Sequence, residues 1–485
     1  MKTYTDASEM AQAVRQGHVS PQELVEDAIE KAKRLNPSLN AITSQRFEEA
    51  LKETSERDFT NKAFAGVPIF LKDLGQEQKG QPSTSGAKLF ANYRASKTDY
   101  LVTALEDLGF IILGRSNTPE FGFKNISDSR LHGSVNLPKD HSRNAGGSSG
   151  GAAALVASEI SQLAPASDGG GSIRIPASFN GLIGLKPSRG RIPAGPGSYR
   201  GWQGASVHFA LTKSVRDTRN LLLGLQAFQP ESPFPLNPLS EKALMAPLKK
   251  PLRIGVYQKL IDGHLASEDS QQALQKASQF LEQEGHQVIA LEELPFDMSE
   301  VIRDYYVMNA VETAAMFDNI EASLGRAVTK DDMETMTWAI YQAGKPILAS
   351  HYSKALQNWD KYSAKMAQFH QNYDLLLTFT TNSPAPKHGA LQVSEPLLNQ
   401  LSHSEAFSPE ERLQLIEDMF QSSLAINPYP AIANLTGNPA ISLPTYETKE
   451  GLPMGIQFFA NKGREDLLLA LAERFEEANL LKVPQ

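Results

Sequence analysis

Cysteine is absent from the 485 residues. That removes disulfides, thiolate nucleophiles and cysteine-ligated metals together, and it is compatible with a cytoplasmic location, which is the expectation. Basic residues are outnumbered, 47 Lys+Arg against 55 Asp+Glu for a net charge of −8, so no nucleic-acid partner is expected. The short basic cluster LKK at 248–250 reads as solvated surface. The opening MKTYTDASEMAQAVRQGHVS has no apolar stretch of the signal-peptide kind. No apolar run approaches the roughly 18–20 residues of a membrane span, so no membrane partner is expected either. The phosphate loop G-x-x-x-x-G-K-[ST] and the dinucleotide fingerprint G-x-G-x-x-G are both missing, which argues against an NTPase or a dinucleotide enzyme. The ten histidines include no H-E-x-x-H and no close pair with a carboxylate partner. No metal and no cofactor are expected.

What is present is the patterning of a large α/β protein. Ser20-Pro21-Gln22-Glu23 is a capping box with proline at the first helical position. Leu24, Ala28, Ala32 and Leu35 follow at helical spacing, and Pro37 is expected to end that helix. GVPIFLKD (66–73) and FIILG (110–114) read as buried strands, and GAAALVASE (151–159) as a helix apolar nearly all round. Residues 228–250 hold five prolines and form the best candidate boundary inside the chain. Beyond it a β-α-β pattern is expected over 252–294, helices over 301–375, a strand at 373–381, a hairpin of 439–444 with 453–460, and a closing helix at 464–477. Alternating strands and helices imply an α/β fold with helices covering the sheet.

Two glycine-serine stretches stand out, GGSSGG (146–151) and SDGGGSIRIPA (167–177). Flexible loop is the bland account of both. Yet each is hemmed in by apolar sequence, and glycines ahead of a serine let backbone N–H groups converge as an oxyanion hole requires. GGSSG also matches the G-x-S-x-G elbow of α/β-hydrolases. That motif wants an apolar strand before it, whereas LPKDHSRNA is polar, and His351, His370, His388 and His403 stand in no suggestive context. Lys72 ends the strand FLKD. A lysine there either snorkels to the surface or, if desolvated, loses its proton and acts as a base. Bringing a lysine from its reference pKa to near 7 takes about 4 kcal/mol.

These stretches in their order, GVPIFLKD, GGSSGGAAALVA, SDGGGSIRIPASFNGLIGLKPSRGRI and NLTGNPAISLP…GLPMGIQF, resemble the amidase signature family. The resemblance covers essentially the whole chain, most densely 64–220 and 425–475. It implies one domain over 1–485, built on a large mixed central sheet with helices on both faces, and a helical substrate-pocket region near 300–375. It implies a triad of Lys72, Ser148 and Ser172. Ser172 is then the nucleophile, and the N–H groups of Gly169, Gly170, Gly171 and Ser172 form the oxyanion hole. Ser148 is the bridging serine, joined to Gly147 by a cis peptide bond. Ser149, Asp168 and Arg174 brace the serine loops. The activity implied is hydrolysis of a carboxamide through an acyl-enzyme, on a small-molecule amide substrate.

The segment NLPKDHSRNA departs from the family's NPW-like turn and bears on substrate choice. The chain lacks the membrane-anchoring helix of the fatty-acid amide hydrolases and the EGFG-x-E-x-KRR segment of the glutamyl-tRNA amidotransferase A subunit. A stand-alone amidase is therefore expected, with some stretches similar to the 6-aminohexanoate cyclic-dimer hydrolase group. The alternatives are an A-type amidotransferase subunit and an inactive homologue acting as a partner subunit. By analogy the loop 121–127, with Gly122 and Ile126, and the helix 305–316, with Asn309, line the acyl pocket; a plain packing role for Asn309 competes equally. A homodimer is compatible with the resemblance.

Overall fold

The computed structural model describes residues 4–248 and 250–484. Of the basic cluster 248–250, Lys249 falls outside these, and Lys250 is exposed. Ahead of the expected first helix lies another, α1 (Ala7–Arg15), whose N-cap Asp6 accepts from the Glu9 N–H at 2.8 Å. The signal for it was available: Asp6 stands three residues before Glu9, and Ala7, Met10 and Ala11 share the buried face. Helix α2 (Pro21–Leu39) begins with the expected capping box. It does not stop at Pro37. Asn36 Oδ1 accepts from the Ala41 and Ile42 N–H groups at 2.8 and 2.9 Å, pinning the final turn, and the helix ends at Asn40 with φ 54°. A proline costs one helical hydrogen bond, and here the turn is held from outside.

Strands β1 (Ile42–Gln45), β2 (Pro68–Lys72) and β3 (Ile111–Ser116) form a small sheet in the order β1-β3-β2. Then come α3 (Gly150–Ala157), β4 (Leu163–Asp168), α4 (Arg174–Asn180), β5 (Ile183–Lys186), β6 (Val207–Thr212), β7 (Arg253–Val256), α5 (Glu268–Gln283) and β8 (Gln287–Ala290). Helices α6 (Met298–Leu324), α7 (Thr335–Gly344) and α8 (Ala349–Asn372) occupy the expected helical region, followed by β9 (Leu375–Phe379), the hairpin β10 (Ala440–Glu447) and β11 (Pro453–Ala460), and α9 (Glu465–Glu477). The order in the large sheet is β8-β7-β9-β11-β10-β5-β6-β4. Strand β7 runs parallel to β8 and β9, and the remaining neighbours are antiparallel, so the sheet is mixed. Its strands come from both sides of the proline-rich segment 228–250, so that position does not divide the sheet.

Both faces of this sheet are covered, as β11 demonstrates. Adjacent strand residues point to opposite faces. Gln457 accepts from Arg174 of α4 at 3.1 Å, while Phe458 packs at a tilt against Phe475 of α9, which meets Phe280 of α5. Every residue of β4, β5, β9 and β11 is buried. Among the described residues no helix is long and apolar enough to cross a membrane.

Candidate active site

Lys72 closes β2 in the protein interior, fully buried. Its backbone is clamped on both sides. The N–H donates to Gln76 Oε1 at 2.7 Å, and the carbonyl accepts from Arg115 Nη1 at 3.0 Å. Nζ lies 2.7 Å from Ser148 Oγ and 3.0 Å from both Ser149 Oγ and Ser167 Oγ. Burial lowers the amine to about 7, against a smaller opposing pull from Asp168. A neutral amine has two N–H donors and one lone pair, so three hydroxyl partners suit it if one of them donates.

The linker-like GGSSGG is buried throughout. The Gly147–Ser148 peptide bond is cis. A Cβ on Gly147 would lie 2.6 Å from Ile126 N, and one on Gly151 2.3 Å from Asn117 N. These glycines are close-approach positions where any side chain would displace backbone. The polar residues before the motif form a short strand, Asp140–Asn144, which pairs with Asn136–Leu137, bridges to Lys387 through Arg143 and is not part of the large sheet.

The second glycine-rich loop is organised by Asp168 at the end of β4. Its carboxylate accepts from the Gly171 N–H (2.7 Å), the Ile173 N–H (3.2 Å), Arg174 Nε and Nη2 (both 3.0 Å) and Asn434 Nδ2 (2.9 Å). Burial pushes this carboxyl up, but the Arg174 guanidinium, with Lys186 and the Asn434 amide, more than offsets it and holds it at about 2. Arg174, itself fully buried, also donates to Pro430 O and Asn434 Oδ1. One expectation needs correcting here. The Gly171 N–H is taken by Asp168, so it is not free to meet an oxyanion. The N–H groups of Gly169, Gly170 and Ser172 have no acceptor among the described residues. Ser172 Oγ likewise makes no hydrogen bond to any described residue, Ser148 included.

Ser148, Ser172, Gly169 and Gly170 line a pocket of about 410 Å³. One wall is aromatic: Phe123 stacks on Trp202 at 6.0 Å, and Trp202 meets Tyr305 edge-on at 6.3 Å. Glu77, Asp99 and His208 also line the pocket. Burial and then Lys72 lower the His208 imidazole to about 4, so it is neutral at pH 7. Of the expected pocket residues, Gly122 lines this pocket, its Cα facing Ser148 Oγ so closely that a Cβ would lie 3.2 Å from it. Ile126 does not; it faces a separate outer cleft. Asn309 lines a small side cavity next door. Tyr305 belongs to the helix 305–316 expected here and does line the pocket, whereas Ser167, Trp202 and His208 were not anticipated. Ser167 sits beside Asp168 in an already suspect motif, but nothing local in the sequence distinguishes Trp202 or His208.

Fold and site together define the carbon–nitrogen hydrolases of the amidase type. A family model described as Amidase matches residues 23–469, and the chain belongs to that family. It is 37% identical over 484 residues to a lipoamidase of Enterococcus faecalis, covering 99% of this chain and 64% of that relative, so it spans less than two thirds of the relative's length. It is 32% identical over 484 residues to a 6-aminohexanoate-cyclic-dimer hydrolase of Pseudomonas sp. (strain NK87), covering 98% and 95%. A solved structure of 6-aminohexanoate cyclic dimer hydrolase matches with a TM-score of 0.88 and 30% identity, over 100% of this chain and 99% of that one.

Proposed function

We propose that the chain is a stand-alone amidase of one domain that hydrolyses a small-molecule carboxamide through an acyl-enzyme on Ser172. The observation that carries this is the buried Lys72 amine, lowered to about 7 and held 2.7 Å from Ser148 Oγ. In the proposed cycle Lys72 takes a proton from Ser148, and Ser148 takes one from Ser172 as Ser172 Oγ attacks the carbonyl carbon. The oxyanion meets the unoccupied N–H groups of Gly169, Gly170 and Ser172. The proton returns through Ser148 to the leaving nitrogen and the C–N bond breaks. Water then repeats the sequence on the ester. For the relay to close, Ser172 Oγ must rotate onto Ser148 Oγ when substrate binds, and catalytic hydrogen bonds often tighten only in the Michaelis complex. Likeness to the two hydrolases favours a stand-alone enzyme over an amidotransferase subunit.

A fluorophosphonate probe tests the assignment. Ser172 should be labelled in the wild type and unlabelled in Lys72→Ala. No labelling, together with no acyl-enzyme by intact mass on simple amides, would sink it. Turnover by the purified chain alone separates it from a subunit or an inactive homologue.

Lys72 sets the pH response. The base must be neutral, so kcat/KM should fall about tenfold per pH unit below about 7 and level off above it. Stability runs the same way. The folded-state amine titrates below its unfolded value, so the unfolded chain binds more protons between about 7 and the ordinary lysine range, and stability rises with pH there. Lys72→Met should therefore gain most over the wild type near pH 7 and lose that gain as pH approaches 10, read by urea midpoints. Gly170 supplies a further check: a Cβ there would sit 2.4 Å from Tyr305 Oη. Gly170→Ala should cost about 10²-fold in kcat/KM by displacing one oxyanion donor, with partial recovery in Gly170→Ala/Tyr305→Phe.

A further inference from the structure

A side cavity of about 50 Å³ is bordered by Gly170 and not by Ser148. It adjoins the catalytic pocket, sharing Phe123, Asn125, Gly170 and Tyr305 with it. The Asn125 Nδ2 donates to Ser423 Oγ at 2.9 Å and closes the wall towards the outer cleft.

Two buried asparagines line this cavity with unmet hydrogen-bonding capacity. Asn309, on α6, is 4% exposed, and its side chain makes no hydrogen bond at either end. Asn427 is 5% exposed. Its Nδ2 is oriented by Ser423 O at 3.4 Å, which leaves Oδ1 without a partner. Buried amide oxygens are rarely left unpaired, because desolvation without a hydrogen bond is costly. Every residue lining the cavity is uncharged. An ammonium or a carboxylate would be stripped of water there with no counter-ion. A neutral amide suits it: Asn309 is free to give one hydrogen bond and take one, and Asn427 Oδ1 takes another. The cavity is large enough for water in the free protein, which such a group would displace.

We propose that this cavity is an acyl-side subsite for a second, neutral carboxamide, so that the enzyme selects diamides over plain alkanoyl amides. The proposal rests on Ser172 as nucleophile: Ser148 then hands the proton to the leaving nitrogen, and a cavity lined by Gly170 and not by Ser148 is left for the acyl side.

The test is a series of N-acetyl-aminoalkanoyl p-nitroanilides of increasing spacer length, each paired with the alkanoyl p-nitroanilide of equal chain length. At the spacer that reaches Asn309, kcat/KM should exceed that of its alkanoyl partner by about tenfold, the order expected for two neutral hydrogen bonds. In Asn309→Leu and in Asn427→Leu, each checked for a cooperative melt, that ratio should fall towards one. Alkanoyl partners hydrolysed equally well or faster at every spacer would overturn the proposal and leave the cavity holding water only. A preference unchanged in both variants would overturn it too. Failure of the underlying assignment looks different: neither series would be hydrolysed at all.

Discussion

Ser172→Ala is expected to lower kcat on a simple anilide by about 10⁴- to 10⁶-fold, the largest effect of any single replacement in this chain. Without Oγ there is no covalent intermediate. What remains is the pocket and the backbone donors of Gly169, Gly170 and residue 172. Ser148→Ala and Lys72→Ala should approach the same level, because each removes a link in one proton path. The Lys72→Ala/Ser148→Ala/Ser172→Ala variant should be little worse than Ser172→Ala, since members of a unit do not contribute additively. Single-turnover kinetics of anilide cleavage measures all four, with trapping of the acyl-enzyme in the two variants that keep Ser172. The competing base is His208, the histidine that lines the pocket. It is buried, lowered to about 4, and makes no hydrogen bond through Nδ1. His208→Gln should stay within about tenfold of the wild type, less than the 10²–10⁴-fold typical of a general base. A loss as deep as that of Ser172→Ala would transfer the base role away from Lys72.

Breaking the Asp168–Arg174 pair is expected to have the largest effect on stability. Both side chains are fully buried and joined by two hydrogen bonds of 3.0 Å. Removing one partner of such a pair strands a charge and costs about 3–5 kcal/mol. Asp168→Asn keeps the size of the side chain but loses the charge, so Arg174 is left with the neutral acceptors Gln457 Oε1, Asn434 Oδ1 and Pro430 O. Urea unfolding should register the loss as a lower midpoint at unchanged slope. The same change removes the strongest acceptor of the Gly171 and Ile173 N–H groups, so the loop bearing Ser172 should loosen and activity should fall with stability. The Asp168 carboxyl is held at about 2, so its contribution in the wild type is present above the ordinary carboxylate range and is lost only as pH falls towards 2. In Asp168→Asn that acid limb of the stability profile should disappear.

Much of the molecule was legible before any contact was known. The capping box of α2, the buried strand ending at Lys72 and the apolar helix after GGSSGG are written in local patterns, because caps, strand alternation and helical periodicity are short-range effects. GGSSGG looked like slack, yet its glycines sit where Ile126 and Asn117 press against the backbone. Pro37 misled, because the residues that hold the last turn of α2 lie partly beyond it.

The sequence by itself determined the chemical inventory: no cysteine, no metal motif, Lys72 ending an apolar strand, and two serines each set in glycine. Only the tertiary structure decided how that inventory is used. It gave Lys72 a third hydroxyl from Ser167, turned Ile126 out to another cleft, tied up the Gly171 N–H and placed two asparagines with unpaired amide oxygens in the cavity that Gly170 borders. The physical reason is distance along the chain. Lys72 meets Ser167 across 95 positions and Asp168 meets Asn434 across 266, and which donor finds which acceptor over such separations is set by the packing of the sheets, not by any local pattern.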